Sequence, residues 1–239
     1  MKFAFAVALL GASAFAYTGV DVSDPISEAD WACLEQPGGQ GPVQWASVRA
    51  YRSSGSTDPN APTTIKNARA AGISHVSAYI FPCVSCGNAS AQVSNTVSYL
   101  NSHGATPDMY WYDVETYNWS SNLASNQAFI KAMIDEGKAL GIKAGIYTNY
   151  YNWQSIVGLS WSYPSQQGLP LWYAHYDNSA SFSDYSAFGG WSKPAIKQYE
   201  GDKTSCSVGV DYDYMTSLVQ AEEPVAIDAI YGGADTFLQ

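Results

Sequence analysis

Short apolar blocks recur along the chain, and three of the intervals between them carry a helical repeat. Thr18-Gly19-Val20-Asp21-Val22 predicts a first strand. Val43 to Arg52 holds a second, centred on Ala46-Ser47-Val48-Arg49-Ala50-Tyr51. The stretch Thr63 to Ala71 predicts a helix with Gly72 as its stop. Val76 to Ile80 is a third strand, closed by Pro82. Ser90 to His103 has Val93, Val97 and Leu100 at helical spacing and Gly104 after it. Met109 to Glu115 is a fourth strand. Leu123 to Leu140 is the clearest helix, with Phe129, Ile130, Met133, Ile134 and Leu140 on one face and Gly141 beyond its end. Ala144 to Thr148 is a fifth strand. The helical signal then fades. Leu171 to His175, Ala195 to Tyr199 and Val208 to Asp211 read as strands joined by loops.

Alternation of strand and helix predicts an α/β fold with a largely parallel sheet. Eight strands in about 200 residues fit a closed, irregular TIM-like barrel whose last crossovers have lost their helices. A doubly wound open sheet is the alternative. No linker, internal repeat or low-complexity block interrupts residues 17–220, so one domain is expected there, with 221–239 as a loosely packed tail.

Composition narrows the function. The 239-residue chain carries 11 Lys+Arg against 21 Asp+Glu, a net charge of −10. Without a cluster of basic side chains it is a poor partner for nucleic acid. No apolar run reaches the roughly 18 residues that span a bilayer, so no membrane insertion is expected. Lys2, the apolar run Phe3 to Leu10 and Ala14-Phe15-Ala16 together form the pattern of a secretory signal over residues 1–16. The mature chain is then expected outside the cell or in a lysosomal or phagosomal lumen. In an oxidising compartment, Cys33, Cys83, Cys86 and Cys206 suit two disulfides. Three connectivities are possible. A local Cys83–Cys86 bridge with Cys33–Cys206 is the expected one. Asn88-Ala89-Ser90 and Asn118-Trp119-Ser120 are allowed glycosylation sequons.

In an α/β barrel, reactive groups gather at the C-terminal ends of the strands. Asp21 ends the first predicted strand, Asp113 and Glu115 the fourth, and Asp211 the last. Asp113-Val114-Glu115 is the sharpest feature. Alternation points both carboxylates, and Trp111, to one side, with Cα atoms roughly 6.6 Å apart at about 3.3 Å per residue. Two carboxyls so close do not ionise independently: one is held neutral and can donate a proton. Glycosidic cleavage needs such a pair. The plain alternative is a pair of loop-capping acids. Tyr110-Trp111-Tyr112, Tyr147, Tyr150-Tyr151, Trp153, Trp172-Tyr173 and Tyr176 lie at or near strand ends and offer faces to a sugar ring, although about half are expected in the core. Other chemistries lack their motifs. There is no Gly-x-Ser-x-Gly elbow. Gly38-Gly39-Gln40-Gly41 lacks the Lys-Ser/Thr of a phosphate loop, and His75, His103 and His175 lack zinc-protease spacing. No metal or other cofactor is called for.

Taken in order, six motifs resemble the glycoside hydrolase family 25 lysozymes, the Chalaropsis-type N-acetylmuramidases. They are Gly19-Val20-Asp21-Val22-Ser23, Tyr110-Trp111-Tyr112-Asp113-Val114-Glu115, Gly145-Ile146-Tyr147-Thr148, Leu171-Trp172-Tyr173-Ala174-His175-Tyr176, Lys197-Gln198-Tyr199 and Val210-Asp211-Tyr212-Asp213. The segment Val48 to Cys83 looks like the eukaryotic, secreted branch. The resemblance implies five β/α units followed by three strands with little helix between them. It implies cleavage of the β-1,4 bond between N-acetylmuramic acid and N-acetylglucosamine in peptidoglycan glycan strands; nothing in the sequence itself demands more than a monomer. Glu115 is then the general acid, Asp113 its partner, and Asp21 and Asp211 the remaining cleft carboxylates. Tyr147, Trp172 and Gln198 line the sugar subsites. The chain departs from the pattern at Tyr112, where an aliphatic residue is usual, and at Asp213, where Asn is common.

Overall fold

The computed structural model describes residues 16–36 and 42–219. The expected signal segment up to residue 15, the glycine-rich stretch at 38–41 and the expected tail at 221–239 lie outside the described residues. In chain order the elements are β1 (Tyr17–Val22), α1 (Glu28–Glu35), β2 (Val43–Arg52), β3 (Ser56–Thr57), α2 (Ala61–Ala71), β4 (His75–Ile80), α3 (Ala89–Ser102), β5 (Tyr110–Asp113) and α4 (Leu123–Ala139). They continue with β6 (Ala144–Thr148), α5 (Tyr150–Ile156), α6 (Tyr163–Gln166), β7 (Leu171–Ala174), β8 (Ile196–Ser205) and β9 (Val208–Met215).

Eight strands close a barrel in the order β1-β9-β8-β7-β6-β5-β4-β2, and β1 pairs with β2 to complete the ring. This closure excludes the open doubly wound sheet. Seven strands run parallel. β9 runs against both neighbours, β8 and β1. The short β3 extends the end of β2. Each of the first five barrel strands is followed by helix, and the last three are not.

Local chemistry fixes the boundaries. Asn122 and Asn149 cap α4 and α5 by accepting from the backbone N–H three residues on. Gly72 ends α2 in the left-handed region at φ 109°, where a Cβ is unfavourable. The helices α1, α5 and α6 and the strand β3 were not legible in the hydrophobic pattern, because they are short. The ends of two strands that carry site acids also differ from expectation. β5 stops at Asp113, so Glu115 lies just beyond it. β9 continues past Asp211 to Met215, so Asp211 is inside a strand that enters the barrel from the opposite direction.

The barrel interior has two layers. Trp45, Met109, Trp111, Trp172, Ile196 and Met215 form a buried apolar floor. Glycine makes room for it: a Cβ on Gly145 would lie 2.3 Å from the Trp111 ring, and one on Gly19 2.6 Å from Trp45. Two residues further along the inward faces, the side chains become polar, and this layer forms the mouth. The outer side of β7 and β8 is covered by the loop after β7 instead of a helix. Tyr173 packs edge-on against Tyr185 at 5.2 Å between centroids. The fully buried Lys197 ammonium ties down the same loop, bonding Asp177 at 2.8 Å and Asp184 at 2.7 Å. The two expected disulfides are present. Cys33–Cys206 joins α1 to the β8–β9 turn, and Cys83–Cys86 closes the turn after β4.

Candidate active site

Asp21, Asp113, Glu115, Asp211, Tyr147, Trp172, Tyr176 and Gln198 line one cavity of about 230 Å³ at the mouth of the barrel. Sheet register explains the grouping. Asp21 is opposite Asp211, Asp113 opposite Tyr147, and Tyr147 opposite Trp172. A second cavity of about 570 Å³ adjoins it, lined by Tyr150, Tyr151, Tyr173 and Asn149 among others. Glu115, Tyr147 and Tyr176 belong to both. Glu115 therefore stands where the two halves of one cleft meet.

The backbone that carries Glu115 is held on three sides. Val114 N–H donates to Tyr147 O at 2.8 Å. Thr148 Oγ1 donates to Val114 O at 2.6 Å. The Trp119 indole N–H donates to Glu115 O at 2.7 Å. Thr116 is fixed by the Asn152 side chain through both its N–H and its hydroxyl. Leaving the strand after Asp113 thus costs Glu115 none of its order.

Gln198 organises the opposite wall. Its Oε1 accepts from Tyr147 OH at 2.6 Å and Tyr176 OH at 2.9 Å. Its Nε2 donates to Asp21 at 2.6 Å and Asp211 at 3.2 Å. The amide is saturated, which fixes its orientation and keeps the two carboxylates on one hub. Asp211 also accepts the Asp202 N–H at 2.6 Å, from an irregular stretch of β8 where Asp202 has φ 56°.

Electrostatics follow from crowding acids into a buried mouth. Burial, then Asp211, raises the Glu115 pKa. Burial, then Glu115 and Asp21, pushes Asp113 well above the usual carboxylate range. Burial and Asp211 do the same to Asp21, against the stabilising Gln198 bond. Burial raises Asp211 as well. The mouth therefore retains protons into a pH range where ordinary carboxyls have lost them. The Asp113 Oδ1 is buried with no hydrogen-bond partner among the described residues, and such an atom is costly unless a ligand meets it.

Trp111 does not reach the cleft. It shares the inward side of β5 with Asp113, as alternation predicts, but it lies one layer deeper. It is fully buried in the apolar floor, 5.6 Å from Trp172 between centroids. Its expected contact with substrate is replaced by a packing role. Trp172 spans both layers, lining the cavity while its indole N–H donates to Asp213 at 2.7 Å. Asp213 is the acid the sequence reading left out. It is fully buried opposite Gln198, and burial, then Asp21, raises its pKa well above the usual range. A signal was present: Asp211, Asp213 and Met215 alternate on one face of a strand, but only if that strand continues past Asp211.

At the wall of the larger cavity, which His175 and Asp184 line, His175, Asp177 and Asp184 bring possible ligand atoms within 4.8 Å of one another. Lys197 already supplies the cation there, bonding both aspartates. This cluster is an ion-pair network rather than a metal-shaped one.

Comparisons with known proteins bear on the family and the fold. A family model described as Lysozyme-like protein 1 matches residues 12–199. "Lysozyme-like protein 5" of Caenorhabditis elegans is 42% identical over 220 residues, covering 90% of this chain and 100% of the relative. "Probable GH family 25 lysozyme 2" of Dictyostelium discoideum is 40% identical over 199 residues, covering 83% and 91%. Among solved structures, a muramidase from Trichobolus zukalii shares the fold with a TM-score of 0.62 at 24% identity, over 83% of this chain and 93% of that one. On the strength of the family model and these relatives, the chain belongs to the glycoside hydrolase family 25 lysozymes.

Proposed function

We propose that the chain is a secreted lysozyme that hydrolyses the β-1,4 bond between N-acetylmuramic acid and N-acetylglucosamine in bacterial peptidoglycan. The observation that carries this is the position of Glu115, a carboxyl with a raised pKa at the junction of two aromatic-lined cavities. A glycan chain threaded through both places one glycosidic oxygen beside that acid.

In this reading Glu115 donates its proton to the leaving oxygen as the bond to the anomeric carbon breaks. Asp113, with its buried Oδ1 unpartnered, meets the acetamido group of the sugar on the other side of the bond. Asp21 and Asp211, held on Gln198, face the positive charge that develops at the ring. Tyr147, Tyr176 and Trp172 supply ring faces and hydroxyls for the sugars. The substrate and the protein are both anionic, so stacking and hydrogen bonding must hold the complex. The signal pattern at residues 1–16 and the two disulfides support export of the folded chain.

Turbidity clearing of Gram-positive cell walls tests the assignment. Wild type is expected to clear walls, and Glu115→Gln to lose at least about a hundredfold, the low end for a general acid. Because Glu115 must keep its proton, activity is expected to decline as pH rises through its raised pKa. Equal clearing by the two proteins, or a pH maximum above about 7, well past an ordinary carboxyl, contradicts the proposal.

A further inference from the structure

Arg49 is the one permanent cation that lines the catalytic cavity among the described residues. It lies on the inward side of β2, two residues beyond Ser47 and four beyond the floor residue Trp45. Its anchoring is built. Asp58, buried, accepts from Arg49 Nε at 3.0 Å. The same carboxylate takes Arg52 through Nε at 2.9 Å and Nη2 at 2.7 Å. Arg49 Nη2 donates to Ser23 O at 2.8 Å. Two guanidiniums share one carboxylate, so one positive charge is left over. The bonds use Nε and Nη2 and leave the N–H groups of Nη1 uncommitted among the described residues.

That charge is not spent on the cleft acids. Asp21 and Asp211 take their hydrogen bonds from Gln198 and the Asp202 backbone. Every carboxyl of the mouth is raised, the direction set by burial and by the other acids rather than by a nearby cation. A fixed guanidinium with free N–H groups in an otherwise acidic cavity is suited to one kind of ligand group, a carboxylate.

We propose that Arg49 binds a carboxylate of the substrate and so lets this cleft select acidic peptidoglycan strands over neutral chitin-type strands. The inference rests on the lysozyme reading. Both glycans repeat N-acetylglucosamine-like sugars, and stacking on Tyr147, Tyr176 and Trp172 does not tell them apart. Peptidoglycan alone adds carboxylates, either on the lactyl ether of muramic acid or, when that group is amidated, on the stem peptide. In a cavity lined by four acids such a group is repelled unless a cation meets it.

The test uses three soluble oligosaccharides of equal length on the Glu115→Gln protein, with and without Arg49→Gln. One has free lactyl carboxylates, one carries stem peptides, and one is a chito-oligosaccharide. The ratio of affinity for a carboxylate-bearing ligand to affinity for the chito-oligosaccharide is expected to fall about tenfold or more on Arg49→Gln, as for loss of a charged hydrogen bond. A fall confined to the peptide-free ligand assigns the lactyl carboxylate, and one confined to the peptide-bearing ligand assigns the stem. Unchanged ratios for both overturn the proposal. Should Arg49→Gln not fold, the wild-type arm decides: the carboxylate-bearing ligand is expected to lose its advantage when methyl-esterified, and equal affinity before and after esterification overturns the proposal. Wild type that hydrolyses peptidoglycan with unchanged ratios defeats only the Arg49 inference. Wild type that hydrolyses no peptidoglycan defeats the lysozyme reading itself.

Discussion

Asp213→Asn removes an ionisable group from beneath the cleft and keeps a donor in its place. The Asn carbonyl can still accept the Trp172 indole N–H, and the amide nitrogen takes the place of Asp213 Oδ2, which has no hydrogen-bond partner among the described residues. Burial, then the charge of Asp21, holds the folded pKa of Asp213 well above its unfolded value of about 3.9. Between those two values the folded chain binds one more proton than the unfolded chain, so its stability falls as pH rises. The loss is about 1.4 kcal/mol per pH unit, beginning near pH 4 and ending at the folded pKa. Asparagine escapes it. Over each unit inside that window the variant gains up to that amount over wild type, and each kcal/mol moves the melting temperature of a domain this size by about 2–4 °C. Thermal melts of both proteins at pH 4, 5 and 6 measure the gap. It is expected to widen as pH rises, by up to about 3–6 °C per unit, until the folded pKa is passed. A gap that stays flat or closes with rising pH means that Asp213 is ionised in the fold, and the account of the mouth as a proton-retaining layer fails.

Three further outcomes test how the site is supported. Gly145→Ala puts a methyl 2.3 Å from the Trp111 ring and 2.8 Å from Met109, so the floor must shift, at about 1–3 kcal/mol for overpacking; an unchanged melting temperature refutes the packed floor. Cys33 and Cys206 are 173 residues apart, and serine at both is expected to lower stability by up to about 5 kcal/mol on the chain-entropy scale, read as a lower urea midpoint. Lys197→Met leaves Asp177 and Asp184 without their cation; the cost at pH 7 is expected at or below the low end of about 3–5 kcal/mol, since both aspartates are partly exposed. That cost should shrink as pH falls far enough for Asp184, whose pKa the Lys197 and His175 bonds lower against burial, to take up its proton, and a pH-independent loss in chemical denaturation assigns Lys197 to packing alone.

The barrel and most of the cleft were legible in the sequence because both follow from short-range rules. Strands of four to ten residues between helical repeats give the ring, and acids at strand ends give Asp21, Asp113 and Glu115 at its mouth. Depth was not legible. Alternation states which side of β5 Trp111 faces, but not that Gly145 on the neighbouring strand opens space for its ring in the floor. The direction of the last strand was equally hidden. Val208 to Asp211 reads as a short strand with no direction of its own, whereas the tight turn at Cys206 and Ser207, both at positive φ, sends β9 back antiparallel to Met215. That reversal brings Asp213 beneath Asp21. Long-range ion pairs such as Lys197 with Asp177 and Asp184 depend on how a helix-free loop folds back, and no local pattern encodes that.

Product analysis tests the central claim most directly. Purified cell-wall glycan is digested, the new reducing ends are reduced with borohydride, and the resulting sugar alcohols are identified. The account predicts that wild type generates the alcohol of N-acetylmuramic acid and that Glu115→Gln generates none. New ends bearing the alcohol of N-acetylglucosamine, or muramic ends formed equally by both proteins, would contradict it.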